Sequence, residues 1–408
     1  MKIGFLEPWD SCGPPDVGGS LGIWTWQVAR RLAKSHEVIV CCRRVPGLPA
    51  FEQIENVTFY RFFTDFDARL LKLTQHIRGK VPDFASRFYH LLYLLRAAFM
   101  LRKLRCDIIH IFNLSQFVPL ARRLNPRATI VLNMHCDWLA SMDYSRLNKR
   151  LRAADWIFGC ANCITDQIRS RFPHYAERCK TIQNGVDVDT FHPSPGEPAP
   201  TPIQTIITVG RISPEKGLHV LLDALEIVLG QTTSVRLRII GAESVLSPQA
   251  ITNPDTDSNL HEILGSYQDN YLRNLQKRLR GVLGTNVSLV GALPHAQIAS
   301  EMRAATLLVQ PSLYDLAPLP VLESMITGLP VVASKVGGLA EIVVNGETGL
   351  LVEPGNSLQL AEALSTLLSD RRRARAMGVA GRKRALDLFS WETVVGTLES
   401  YYESKEKK

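Results

Sequence analysis

Short apolar runs recur along the chain and alternate with longer amphipathic segments, and their length and composition are typical of strands buried on both faces. The runs cover residues 2–6, 37–41, 107–112, 129–133, 156–159, 205–209, 235–240, 287–291, 307–309 and 330–333. Helical patterns follow many of them, at residues 23–32, 218–228, 271–283, 320–326, 358–368 and 391–402. This alternation predicts an α/β fold with parallel sheets.

The series of strands and helices begins twice, at residue 2 and again at residue 205. Between the two series lies a proline-rich stretch, SPGEPAPTP at residues 194–202, of the kind that forms semi-rigid linkers. A chain of 408 residues is long enough to bury two separate cores. We therefore predict a first domain over residues 1–193, a linker over 194–203 and a second domain over 204–388.

The formal net charge is +8 and the pI is about 9.1. This balance favours anionic substrates or an anionic membrane surface, whereas a nucleic-acid partner would require a denser basic cluster and is not expected. The eight cysteines are irregularly spaced, and the chain starts with a predicted strand rather than a signal peptide. No apolar run has the length of a transmembrane helix. We expect a cytoplasmic protein, with any membrane contact peripheral and on the inner face.

The segment from Ala68 to Arg105 contains nine basic residues against one acid, Asp83. Within it, residues 88–101 form a mostly apolar helical pattern that Arg96 interrupts. One interpretation is a helix that packs on the core and exposes a solvated basic rim. The other is an amphipathic surface that docks on anionic lipid or on a phosphate-bearing acceptor. Both interpretations remain open.

Two cofactor motifs are disfavoured by the residues around them. Gly18 and Gly19 lie in the loop after the first strand, but that loop lacks G-x-G-x-x-G, and the next strand ends in CCRR at residues 41–44 instead of an acid for a ribose. The CANC sequence at residues 160–163 has the spacing of a metal-binding or redox pair, yet no second pair accompanies it. No nicotinamide cofactor and no metal site are predicted.

Residues 306–341 predict a strand, a polar loop with Asp315, a helix with Glu323 and a second strand. Ligands of parallel sheets bind beyond the carboxyl ends of the strands, where helix N-termini present N–H groups to anions. Arg211 and Lys216 follow another strand, and they suit a diphosphate because arginine offers a planar fork and lysine a point charge. Two cations with two carboxylates suit a ligand that has both phosphates and sugar hydroxyls.

The sequence of residues 315–352 resembles the signature of the family 4 retaining glycosyltransferases, the group 1 type. Its parts are an acid followed by seven residues and Glu323, then GLPVVAS at 328–334, GGLAE at 337–341 and NGETGLLV at 345–352. The chain departs from the family pattern at Asp315, where a glutamate is usual, and at Pro320, where an aliphatic residue is usual. The resemblance implies the GT-B fold, two facing Rossmann-like domains with a cleft between them, whose last helix, here residues 389–408, returns to the first domain.

The resemblance also implies four catalytic residues. Arg211 and Lys216 would bind the donor diphosphate and stabilise the charge that grows on it as it leaves. Asp315 would orient hydroxyls of the donor sugar. His135, which follows a predicted strand, would contact the same sugar; judged without the resemblance, a histidine in this position is as readily a structural residue.

The other donor-binding residues follow from the same resemblance. Glu323 would bind the ribose hydroxyls, and Leu293 would contact the base through its backbone. Gly18 and Gly19 would let the backbone approach the donor phosphate and the acceptor. Leu319, directly before the predicted helix that follows Asp315, completes the set.

The expected activity is transfer of a sugar from a nucleoside diphosphate sugar to an acceptor, with retention of anomeric configuration and without a metal or other cofactor. The acceptor could be a lipid-linked sugar, a polysaccharide or a small molecule. A nucleotide-sugar epimerase or hydrolase on the same fold is one alternative, and a catalytically silent sugar-nucleotide binding protein is the other. The polar segment 242–270 forms either part of the acceptor or nucleotide rim or a surface insertion.

Overall fold

The computed structural model describes residues 1–7, 11–14, 19–74, 86, 88–194, 202–232, 234–244, 270–280 and 283–406. The chain divides into two compact units. Unit 1 combines Met1–Asn184 with Trp391–Lys408, and unit 2 is Gly185–Ser390. Gly18, most of the segment 242–270 and the centre of the proline-rich linker lie outside the described residues.

The strands of unit 1 form one sheet in the order β3-β4-β2-β1-β5-β6-β7-β8. They are β1 (Lys2–Leu6), β2 (Glu37–Arg43), β3 (Phe51–Ile54), β4 (Val57–Phe62), β5 (Ile108–Phe112), β6 (Thr129–Met134), β7 (Trp156–Gly159) and β8 (Cys179–Thr181). Only β3 runs antiparallel to its neighbour within this described sheet. The central strands are buried along almost their whole length, which explains their continuous apolar composition.

Both chain segments of unit 1 contain helices. They are α1 (Ser20–Leu32), α2 (Asp65–Leu73), α3 (Leu91–Leu104), α4 (Val118–Leu124), α5 (Trp138–Ser141), α6 (Tyr144–Leu151), α7 (Asn162–Arg171) and α15 (Trp391–Glu406). The last of these packs into the same core as β1 and α1, through Trp391, Leu398 and Tyr402. Tyr402 also hydrogen-bonds to His110 on β5, with 2.7 Å between the phenol oxygen and Nδ1.

All strand pairs in the sheet of unit 2 are parallel, in the order β11-β10-β9-β12-β13-β14. The strands are β9 (Gln204–Val209), β10 (Val235–Ile240), β11 (Val287–Gly291), β12 (Leu307–Gln310), β13 (Val331–Ser334) and β14 (Gly349–Val352). Leu307 and Val309 of β12 belong to one hydrophobic cluster and Leu308 belongs to another. Because side chains alternate along a strand, the two clusters lie on opposite faces of the sheet.

Helices of unit 2 contribute side chains to both of these hydrophobic clusters. They are α8 (Leu218–Leu229), α9 (Tyr271–Leu279), α10 (His295–Ala304), α11 (Leu319–Thr327), α12 (Leu339–Ile342), α13 (Ser357–Ser369) and α14 (Arg371–Phe389). One cluster includes apolar side chains of α8 and α13, and the other includes those of α10 and α11. The arginines at the start of α14 are exposed, as expected of a solvated helix face.

Two features differ from the sequence expectations. The division between the units falls after Asn184, about ten residues before the proline-rich linker, because Val186 and Phe191 pack in a core cluster of unit 2 and Val186 donates to the carbonyl of Phe389. The hairpin of β3 and β4 was not predicted. Its turn places Glu55 and Asn56 at positive φ, and the chain has no glycine there to signal the turn.

We predict that Gly378→Ala destabilises unit 2. Gly378 lies where α14 crosses the end of α11, and an added Cβ would be 2.1 Å from the carbonyl oxygen of Gly328. The helices would have to separate, at a cost of about 1–3 kcal/mol in the free energy of unfolding. Gly396→Ala is the control, since an added Cβ on this helical glycine meets nothing within 4 Å and should stabilise by up to about 1 kcal/mol. Urea denaturation that ranks the two variants equally would contradict the prediction.

Candidate functional site

Four loops of unit 2 lie at the same edge of its sheet. Arg211 follows β9, Leu293 follows β11, Asp315 follows β12 and Gly337 follows β13. Since all these strands are parallel, their carboxyl ends and the loops after them share that edge. The sequence-predicted donor residues of this unit are therefore brought to one side of the sheet.

The loops after β9 and β12 are joined by their backbones. A short 3₁₀ helix, Pro214–Lys216, ends at Gly217, whose φ is +65°. An added Cβ on Gly217 would lie 2.0 Å from the carbonyl oxygen of Pro311, so only glycine permits this approach. The N–H groups of Leu313 and Tyr314 donate to the carbonyl of Glu215, at 2.8 and 3.2 Å. These backbone contacts therefore hold the two loops in a fixed position relative to each other.

Lys216 and Asp315 form the side-chain link between these loops. Lys216 Nζ donates to Asp315 Oδ2 at 2.6 Å, and the side chains are only 16% and 8% exposed. Ser312 Oγ and Gln310 Nε2 donate to the same oxygen, at 3.0 and 3.2 Å. A carboxylate that accepts several bonds, one of them from a cation, is held in a single orientation.

Arg211 has a different carboxylate partner. Its Nη2 donates to Glu215 Oε1 at 3.0 Å, and Ser213 Oγ donates to the same oxygen at 2.7 Å. The Glu215 side chain is buried, whereas that of Arg211 is 37% exposed. Glu215 thus anchors the guanidinium through Nη2, and the Arg211 side chain remains partly exposed. The sequence analysis did not identify Glu215 in this role.

Helix α11 begins directly after the Asp315 loop, with Leu319 as its first residue and Pro320 as its second. The residue at the N-cap position, Pro318, makes no side-chain hydrogen bond to its N-terminal N–H groups. Glu323 lies one turn further on, and its buried carboxylate is 2.6 Å from Nε2 of His295, the first residue of α10. Glu323 therefore has a histidine partner, which the sequence analysis missed.

The pKa of His295 is raised above the usual histidine value. Burial opposes protonation, but the hydrogen bond and the charge of Glu323 outweigh it, with a further contribution from the charge of Asp187. The imidazolium form is thus more favoured here than in an ordinary histidine.

In unit 1, His135 follows β6 directly. Its backbone N–H donates to Asn113 Oδ1 at 2.7 Å, and its ring meets the Trp24 ring edge-on at 5.8 Å. Burial lowers the pKa of His135 to about 3, so the side chain is neutral at physiological pH.

Gly19 precedes α1, and an added Cβ there meets nothing within 4 Å among the described residues, so packing against them does not require a glycine at this position.

A group of buried polar atoms lies near His135. Trp24 Nε1, His110 Nε2, His135 Nε2 and both side-chain polar atoms of Asn133 have no hydrogen-bond partner among the described residues. The rings of Trp24, His110 and His135 lie within 6 Å of a neighbouring ring of this group. Buried polar atoms normally have hydrogen-bond partners, so a group of buried polar atoms without such partners is unusual. Sequence reasoning singled out only His135, because Trp24 and His110 look like ordinary core residues.

Two further features bear on the expected cofactors and partners. Across the described parts of the chain, no three histidine, cysteine, aspartate or glutamate side chains are grouped so as to hold a metal ion. Over the same residues, no helix combines the length and the apolar character needed to cross a bilayer.

Comparison with known families assigns the chain. Residues 193–384 match the model of the glycosyl transferases group 1, and residues 18–190 match that of the glycosyltransferase family 4. The chain belongs to the group 1 glycosyltransferases. This enzyme is 26% identical to spore coat protein SA of Bacillus subtilis, over 99% of both chains. It is 28% identical to a D-inositol 3-phosphate glycosyltransferase of Thermobispora bispora, over 97% of this glycosyltransferase and 92% of the relative.

Solved structures show the same fold. A sucrose-phosphate synthase from Thermosynechococcus elongatus matches this glycosyltransferase with a TM-score of 0.72 at 21% identity, over 100% of this chain and 99% of the other. The Anabaena protein Alr3699/HepE, in complex with UDP-glucose, matches with a TM-score of 0.70 at 19% identity, over 99% and 100% of the two chains. The fold of the enzyme is accordingly GT-B, with two parallel-sheet domains.

We predict that Asp315→Asn destabilises unit 2 by about 3 kcal/mol, because it leaves the mostly buried Lys216 ammonium without its counter-ion. Urea denaturation measures the loss. Glu353→Gln is the matched control, because the Lys335–Glu353 pair is about 60% exposed on both sides and should change stability by less than about 1 kcal/mol. Equal losses in the two variants would show that the Lys216–Asp315 bond is not a structural link.

Proposed function

We propose that this glycosyltransferase moves a sugar from a nucleoside diphosphate sugar to an acceptor hydroxyl with retention of configuration, and that unit 2 binds the donor. The observation that carries the proposal is the placement of Arg211, Lys216 and the uncapped start of α11 at one edge of the sheet. Cations and helix N–H groups at such an edge favour a diphosphate.

The diphosphate is the leaving group, so groups that stabilise its growing charge accelerate the reaction. The exposed part of the Arg211 guanidinium would bind it through paired N–H groups, since Glu215 holds the other part. Lys216 would add a point charge while it remains bonded to Asp315. The first N–H groups of α11 would supply further donors, with one fewer than usual because Pro320 has no N–H.

The sugar and nucleoside would meet the carboxylates. The contacts of Asp315 with described residues all go to Oδ2, so Oδ1 would accept a hydroxyl of the donor sugar. Glu323 would accept the ribose hydroxyls and Leu293 would contact the base. We propose that His135 also contacts the donor sugar, and its neutral imidazole suits a hydroxyl partner. Gly19 would allow close approach of donor phosphate or acceptor.

The reaction needs no protein nucleophile in this proposal. The departing phosphate oxygen would take the proton of the acceptor hydroxyl as the new bond forms on the same face of the sugar, which retains the anomeric configuration. UDP-glucose is the first donor to try, because HepE is described in complex with it and shares the fold. A lipid-linked sugar, a polysaccharide and a small molecule are the acceptor classes to compare.

A thermal-shift panel tests donor binding. UDP, GDP, ADP, dTDP and their common sugar conjugates would be titrated, because a ligand that binds only the folded state raises its melting temperature. We expect one nucleotide class to bind selectively. Arg211→Lys, which keeps a cation beside Glu215, and Lys216→Ala should each weaken binding about ten- to a hundredfold, the value of a charged hydrogen bond.

Each variant is compared with its own ligand-free melting temperature, so that lost stability is not mistaken for lost binding. Arg236→Ala is the matched control, since Arg236 is an exposed arginine near the amino end of β10, away from the site. A wild-type protein that no nucleotide stabilises at saturating concentration would overturn the proposal. Turnover of the bound donor without any acceptor would favour an epimerase or hydrolase, and binding without turnover with any acceptor class would favour a silent binding protein.

We further propose that unit 1 docks on anionic lipid through a basic aromatic surface, which we define as Phe63, Phe66, Arg69, Lys72, Arg96 and Phe99. Phe66 and Phe99 are 60% and 54% exposed, and the guanidinium of Arg69 lies over the Phe66 ring. The carboxylate of Asp67 joins the two helices, because it accepts the N–H groups of Leu92 and Tyr93 at the start of α3. Exposed aromatics flanked by arginine fit an anionic membrane interface. Residues 75–85 and 87 of the predicted segment lie outside the described residues.

Vesicle flotation tests the lipid proposal. The protein should float with phosphatidylglycerol–phosphatidylcholine vesicles and not with phosphatidylcholine alone, and high salt should release it. Phe66→Ser with Phe99→Ser should abolish flotation, and each loss of Arg69 or Arg96 should weaken it about fivefold. Phe51→Ser is the control, because Phe51 is as exposed but lies on the edge strand β3. Flotation that Phe66 and Phe99 do not affect would contradict the proposal.

A further inference from the structure

We propose that His295 is a positioning residue for donor binding, which holds the carboxylate of Glu323 in place to receive the ribose hydroxyls of a nucleoside diphosphate. This inference rests on the proposed function and assigns a role to a residue outside the family signature. His295 starts α10 and Glu323 lies in α11, so the pair also fixes the distance between these two helices at the ligand edge.

The geometry leaves the carboxylate little freedom. His295 Nε2 donates to Glu323 Oε1 at 2.6 Å, a distance typical of a charge-assisted bond. The Glu323 side chain is 6% exposed and that of His295 is 35% exposed. The histidine is the more exposed partner, and it supplies the hydrogen bond that a desolvated carboxylate needs.

Residues from the start of unit 2 fix the histidine in turn. The Phe191 ring meets the His295 ring edge-on, with 4.8 Å between centroids. Asp187 and Glu323 are the two carboxylates whose charges act on the imidazole. The same Asp187 accepts the N–H groups of Asp189 and Thr190, which orders this short turn. Phe191 and Asp187 therefore position the His295 ring, and through that ring they position the carboxylate of Glu323.

The chemistry explains why this matters for a ribose. Two vicinal hydroxyls donate two hydrogen bonds, and an ionised carboxylate offers two acceptor oxygens, whereas a protonated carboxyl offers a donor in place of one of them. His295 occupies one acceptor site of Oε1, and it leaves Oε2 and the remaining lone pair of Oε1 to receive the two hydroxyls.

The pair also makes ribose recognition depend on pH. The pKa of His295 is raised above its usual value, so the imidazolium form and its strong bond are fully present at pH values below the ordinary histidine pKa. They are lost as the pH rises through the raised pKa. The preference for a ribose over a 2′-deoxyribose should therefore decline as the pH rises through that raised pKa.

Binding of UDP and 2′-deoxy-UDP by isothermal titration calorimetry tests the proposal, with the GDP and ADP pairs measured alongside. Wild-type protein should prefer the ribonucleotide. That preference should be about tenfold in affinity, the value of a charged hydrogen bond. Both Glu323→Gln and His295→Leu should remove most of it. The double variant should lose no more than either single one, because the two residues act as one element. His295→Gln, which can still donate to Glu323, should keep the preference but lose its decline at high pH.

Glu301→Gln is the matched control. Glu301 lies on the same helix α10 as His295 but pairs with Arg238 of strand β10, so its loss should leave the ribose preference unchanged. If Glu323→Gln removes the preference and His295→Leu does not, His295 has no positioning role and the donor site stands. If both remove it but their effects add, the two residues act separately and the inference fails. If no nucleotide pair binds, or Glu323→Gln keeps the preference, the assignment of the donor site itself is overturned.

Discussion

The hydrogen bond between Lys216 and Asp315, with the backbone contact of Gly217 against Pro311 beside it, is the interaction on which the proposed donor site depends. It joins the loops after β9 and β12, which are neighbours in the sheet although about a hundred residues separate them in the chain. Arg211 is carried by the first loop and the start of α11 by the second. Without this link, the cations and the helix N-terminus would not share a fixed position, and preorganised charge is what stabilises a leaving diphosphate.

Every cation of this site already has a carboxylate partner: Arg211 has Glu215, Lys216 has Asp315 and His295 has Glu323. These pairs keep partly buried charges satisfied before any ligand arrives. In the proposed function, an incoming diphosphate would have to share Lys216 with Asp315. The shorter acid at position 315 fits this arrangement, because its Oδ2 takes three donors at close range within a tight loop.

The sequence was sufficient to predict parallel α/β domains, the locations of most strands along the chain, and the placement of Arg211, Lys216, Asp315 and Glu323 in the loops and helix that follow two of those strands. Those predictions depend on local features, namely apolar runs and the polar residues directly after them. The partners Glu215 and His295 could not be predicted, because their contacts depend on which loops the sheet order brings together. The environment of His135 was hidden for the same reason. His110, which lies in the same ring cluster, bonds to Tyr402, which is 292 residues away in the chain.

The placement of α15 in the core of unit 1 has a consequence for the synthesis of the protein. Trp391, Leu398 and Tyr402 complete a core whose other residues are made first, while the whole of unit 2 lies between them in the chain. At ribosomal speed, about ten seconds or more separate the two parts. Unit 2 is continuous in the chain, whereas the core of unit 1 stays incomplete until α15 has been made. The synthesis of α15 therefore decides when the first unit can become native, and the interval before it is when a chaperone would find apolar surface to bind.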